Sequence, residues 1–151
     1  MSAYEFTVSL RIRHPTIDPA TITAALGIQP QHTWRAGQPR RDPAGVELGG
    51  THHDSYWTGR LMEEPQLSSD GVSVEGVILK TLSHLRRAQS FLEQLNAEGG
   101  LAELLVSLDA QDDFRLELPA DSLTVLGRLH LAIALDVHAH APLEAPAPRA
   151  N

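Results

Sequence analysis

The chain has 151 residues, no cysteine, 42% hydrophobic side chains and a formal charge of −7. This length suits one domain, which hides roughly 68–70% of its unfolded surface, and the composition argues against disorder; without thiols, disulfides, cysteine nucleophiles and thiolate metal sites are excluded. Residues 1–60 hold six basic and five acidic side chains and residues 61–151 hold six and fourteen, so nucleic-acid binding is not expected, whereas a basic partner would be steered to the acidic part.

Phe6, Val8, Leu10 and Ile12 alternate with polar or charged neighbours, the pattern of a strand with one buried face. His14-Pro15 ends it, because proline lacks a ladder donor and restricts the residue before it. Asp18-Pro19 then opens a helix, with the carboxylate as N-cap and proline at the first helical position. Ile17 and Ile22 are placed as a hydrophobic staple, and Leu26-Gly27-Ile28 reads as a left-handed C-cap. Residues 29–57 are punctuated by prolines and glycines and predict a loop with short extended pieces. Ser55 to Met62 reads as a second strand, Trp57 and Leu61 on one face and Tyr56, Thr58 and Arg60 on the other. Residues 63–73 form a polar connection.

A long helix is expected from about Val74 to Asn96, where Ile78, Leu82, Leu85, Leu92 and Leu95 make one apolar stripe. Leu104, Val106 and Leu108 alternate, as do Phe114, Leu116 and Leu118, which suggests a hairpin turning at Ala110–Asp113. Pro119 to about His130 reads as a further helix, capped by Asp121 or Ser122 and burying Leu123, Leu126 and Leu129. A last strand follows at about Ala132 to His140, and residues 141–151, rich in proline and alanine, read as a flexible tail. Strands with one apolar face, joined by helices, give an α+β domain over residues 1–140. The expected architecture is two layers, a mixed or antiparallel sheet of about five strands with helices on one face.

The opening strand, Ile17-Asp18-Pro19, Ile22-Thr23, Leu26-Gly27-Ile28-Gln29-Pro30, Trp34, Gly37, Ser55-Tyr56-Trp57 and the segment Leu123 to Val137 together resemble domain-of-unknown-function family 4279. The resemblance covers roughly residues 4–140 and implies a small bacterial α+β protein, with no catalytic residues to transfer.

Three constellations offer chemistry. Trp34, Arg35, Arg40, Arg41, Tyr56 and Trp57 form a candidate pocket for an anionic or planar ligand, since arginine forks bind carboxylate or phosphate and indoles stack; the alternative is that the tryptophans are core anchors. Asp136, His138 and His140, two apart in a strand, share a face as a metal-binding set would, or they are its solvated side. His52-His53-Asp54 is a metal or acid–base candidate or a polar loop. No nucleotide-binding, zinc-protease or nucleophile-elbow motif is present, and no cofactor is expected. The apolar stretch Leu129 to Leu135, interrupted by His130, is too short to span a bilayer. The N-terminus lacks signal-peptide features, so a cytoplasmic protein is expected. The resulting expectation is a binding protein acting through protein contact, in the manner of an immunity protein. The alternatives are a small metal-dependent enzyme or a ligand-binding module built on the Trp34–Trp57 region.

Overall fold

Strand β1 (Tyr4–His14) is the spine of the computed structural model, which describes residues 4–140; the expected tail, 141–151, lies outside the described residues. Alternation sends Phe6, Val8, Leu10 and Ile12 to one side, all at 0% exposure, and Glu5, Thr7, Ser9, Arg11 and Arg13 to the other. Both edges of β1 are paired. On one edge β7 (Leu101–Ala110) runs antiparallel from Tyr4↔Ala110 to Arg13↔Leu101. On the other, β5 (Ser55–Arg60) covers Ser9 to His14 and the short β6 (Leu67–Ser68) covers Glu5 and Phe6. β2 (His32–Trp34) extends the sheet beyond β5, and β8 (Leu131–Ala139) closes it beyond β7, parallel to it. The result is a mixed sheet of six strands. A separate two-stranded arm, β3 (Pro39–Arg41) with β4 (Glu47–Thr51), stands apart from it.

The helices lie on the apolar side. α1 (Pro19–Leu26) begins as its capping residues dictate: the Asp18 carboxylate accepts from the Ala20 N–H at 3.0 Å, and Gly27 ends the helix at φ 67°. α2 (Val74–Leu85) and α3 (Gln89–Ala97) supply Ile78, Leu82, Leu85, Leu92 and Leu95, and α4 (Ala120–Arg128) supplies Leu126. These side chains join those of β1, β5 and β7 in one hydrophobic cluster. Burying a large apolar side chain contributes about 1.5–3 kcal/mol, and β1 alone places four of them at full burial. The α+β reading with a one-sided helical layer therefore holds, and no helix among the described residues is long and apolar enough to cross a membrane.

Three expectations are corrected. The middle helix is not continuous: a 3-10 turn at Arg86–Ala88 separates α2 from α3, with the apolar stripe preserved across it. The segment containing Phe114, Leu116 and Leu118 is not the second strand of a hairpin, because both edges of β7 are already occupied, by β1 and by β8. It instead crosses the helical layer, Phe114 packing on Tyr4 at 4.9 Å between ring centroids and the Glu117 N–H donating to the Glu75 carboxylate at 3.0 Å. α4 starts one residue after Pro119 without a side-chain cap; Ser122 is buried inside it and Leu123 faces water at 51% exposure.

Gly59 is fixed by a close approach. Trp57 and Gly59 share the inner face of β5, and the indole lies over the glycine, so an alanine Cβ there would sit 2.5 Å from the ring. Gly59→Ala is expected to destabilise by about 1–3 kcal/mol through overpacking. A urea melt with an unshifted midpoint would overturn this account of the β5 packing.

Candidate functional site

Among the described residues no helix covers the other face of the sheet, and toward its β2 edge that face carries an aromatic ladder. Register dictates it: Trp34 on β2 lies opposite Tyr56 on β5, and Tyr56 lies opposite Arg13 on β1. Directly paired residues share a face, so all three project to the open side. The Trp34 and Tyr56 rings stack at 4.2 Å and 16°, and the His52 ring stacks on Trp34 at 4.4 Å and 12°. Rings at those spacings fit only on opposite faces of the indole, so Trp34 is sandwiched and neither of its faces is free for a ligand. Arg13 completes the row, its guanidinium carbon 5.7 Å from the Tyr56 ring centroid.

His52 follows β4, so the ladder also ties the two-stranded arm to the sheet. Backbone bonds reinforce the tie: the Gly37 N–H donates to the His52 carbonyl and the His52 N–H to the Gln38 carbonyl, each at 2.9 Å. The Ala36 N–H donates to the buried Ser55 hydroxyl at 3.0 Å. Arg35 reaches Asp18 at 3.6 Å, with both groups half-exposed, an ion pair of small energetic worth.

Charge on the open face is bipolar. Arg11 and Arg13 lie toward the ladder end, with Arg60 opposite Ser9 at mid-strand; Arg11 is ion-paired with Glu103 directly across on β7, whose hydrogen bond raises the guanidinium pKa further. At the opposite end Glu5 and Asp109 pair in register on β1 and β7, and Asp136 lies nearby on β8.

The residues singled out in the sequence divide. Trp34 and Tyr56 come together, but Trp57 points to the other side, fully buried, its indole N–H donating to the Thr23 hydroxyl at 3.0 Å. A pocket lined by both tryptophans is therefore not formed. Arg41 folds back on its own arm, to Glu47 at 3.1 Å and the Gly45 carbonyl at 3.2 Å, and Arg40 is exposed beside it. His53 and Asp54 are exposed in the turn before β5. Asp136 and His138 lie on the open face, and the His140 imidazole meets Asp109 at 3.4 Å. Among the described residues no three His, Asp or Glu side chains gather at metal-binding distance. Two shallow grooves lie on the helical side, of ≈ 320 Å³ (Arg86, Gln89, Val125, Arg128, Leu129) and of ≈ 240 Å³ between α2 and α4.

A polar junction that sequence reading missed sits at the end of β1. The His14 ring, 5% exposed, accepts the Thr16 and Ile17 N–H groups on Nδ1 at 3.0 and 2.9 Å. Its proton is thereby held on Nε2, which donates to the Glu98 carboxylate at 2.9 Å. The signal was there in His-Pro: with proline next, the following N–H groups leave the ladder and need an acceptor.

Compared with known families, residues 4–140 match the domain of unknown function DUF4279. No curated protein and no solved structure matches the chain.

Two outcomes follow from this geometry. The Glu98 carboxyl is held below its ordinary range, chiefly by the His14 hydrogen bond and next by Gln94. A carboxyl depressed in the fold stabilises above its unfolded value and loses that contribution as pH falls through the folded one. The stability of the native chain over Glu98→Gln should therefore shrink below about pH 4; a difference that stays constant in acid melts would refute the pairing. Trp34→Ala should speed amide hydrogen exchange in β3 and β4 while β1 and β7 stay protected, and unchanged exchange in the arm would show that the ladder does not hold it.

Proposed function

The chain belongs to the DUF4279 family, and we propose that it is a binding protein that engages a partner protein through the open face of its main sheet. The observation that carries this reading is the ordered row Arg13, Tyr56, Trp34 and His52 on a surface that no helix of the described residues covers. Arginine, tyrosine and tryptophan are the side chains that dominate interface energetics. A row already stacked before contact has little side-chain freedom left to lose on binding. The surface around it is open rather than enclosed, which suits a macromolecule better than a small molecule. Its bipolar charge, Arg11 and Arg13 toward one end and Glu5, Asp109 and Asp136 toward the other, would set the partner's orientation.

The excess of acidic side chains in residues 61–151 supports a partner with a basic patch, and neutralisation of a basic enzyme, in the manner of an immunity protein, is the specific form of the proposal. The test is titration calorimetry against the products of genes adjacent to the one encoding this chain, together with growth rescue when such a product is toxic. Tyr56→Ala and Arg13→Glu should each weaken binding about 30-fold, a hot-spot loss of about 2 kcal/mol, with melting temperature little changed for Arg13→Glu. Binding that survives both substitutions would overturn the open-face reading. Binding without growth rescue would overturn only its immunity form.

A further inference from the structure

Strand β8 forms one edge of the main sheet, with β7 on one side and, among the described residues, no strand on the other. Its parity is fixed by the last bond of the ladder, in which the His140 N–H donates to the Ala110 carbonyl. Even-numbered residues of β8 therefore bond β7, and Leu131, Ile133, Leu135, Val137 and Ala139 aim their backbone N–H and C=O groups at the vacant edge. The same odd-numbered side chains lie on the helical side, in register with core residues: Leu135 beside Val106 and Val137 beside Leu108. Val106 and Leu108 are fully buried, whereas Leu135 and Val137 are 46% and 50% exposed. The apolar layer thus runs out to the edge and stops there uncovered. Natural edges are usually guarded by lysine, proline, a bulge or short length; β8 is nine residues long, contains neither lysine nor proline and pairs without a register shift.

We propose that a second copy of this chain covers this edge, the two β8 strands pairing antiparallel about a two-fold axis at Val137. The sequence around that residue is self-complementary in this register and is not in the two neighbouring ones. With Val137 opposite its own copy, Asp136 of each protomer lies opposite His138 of the other, twice over, and Leu135 lies opposite Ala139. A two-fold centred on Asp136 would instead oppose two carboxylates, and one centred on His138 two imidazoles. Backbone parity agrees. Val137 and the Leu135–Ala139 positions become hydrogen-bonded pairs, and the Asp136–His138 positions become the closer, non-hydrogen-bonded pairs where cross-strand side chains interact most strongly. His138 then lies between Asp109 of its own β7, its register partner, and Asp136 of the second copy. An isologous contact of this kind is self-complementary and closes at two subunits. It also continues the sheet, with both helical layers on the same side and the exposed Leu135 and Val137 covered by their counterparts.

The experiment is sedimentation of the full chain at about 100 μM, where a dissociation constant near 10 μM still populates the dimer. A dimer is expected. Val137→Pro deletes an N–H that faces only the vacant edge, a tolerated place for proline, so it should give a monomer whose circular dichroism matches the parent. Asp136→His and His138→Asp, which oppose like side chains twice each, should raise the dissociation constant about tenfold. The double swap Asp136→His with His138→Asp should restore it. A monomeric parent, a dimer indifferent to Val137→Pro, or a double swap no better than the single changes would each overturn the proposal. So would a chain ending at His140 that dimerises when the full chain does not, since residues 141–151 would then be the occupant.

Discussion

One-sided burial of β1 is the constraint on which the rest of the structure depends. Phe6, Val8, Leu10 and Ile12 are fully buried on one face while Thr7, Ser9 and Arg11 are only partly covered on the other, so the sheet has an inside before any helix is placed. β7 and β5 must then present their own apolar positions to the same side, and they do so with Leu104, Val106, Leu108 and Trp57. A one-residue slip of either partner would move every such side chain into water. The helices, with the Phe114–Leu118 segment, roof that layer, and the other face carries polar and aromatic groups.

This division also explains how the tryptophans came to differ. Trp57 sits on the inner face of β5, where its ring lies over Gly59 and its N–H is satisfied by Thr23 of α1; a buried indole without that acceptor would leave a donor unpaired. Trp34 faces outward and finds its partners in Tyr56 and His52. Adjacent Tyr56 and Trp57 thus belong to different environments.

Much of this was legible in the residues. The alternation of β1 and the Asp18-Pro19 to Gly27 helix are set by local chemistry that tertiary context did not override, and the stripe from Ile78 to Leu95 survives a break in its helix. The alternation of Ser55 to Arg60 already separated Trp57 from Tyr56, so a pocket joining the two tryptophans conflicted with the pattern itself. What was not legible was pairing. Phe114, Leu116 and Leu118 alternate whether they lie in a ladder or cross the helical layer, and only the knowledge that β8 returns to β7 decides between these. The stacking of His52 on Trp34 and the bond between His14 and Glu98 join residues 18 and 84 positions apart, and no local spacing announces such contacts.

The order of strands has a consequence for synthesis. β1 is made first, yet β7, the neighbour that pairs with it from end to end, is complete only at Ala110. A nascent chain can close β1 against β5 early, but through the emergence of the following segments one edge of its central strand stays unpaired. Closing a loop of this span costs entropy before its contacts repay it, so between translation of β5 and of β7 the unpaired edge of β1 is open to misassociation.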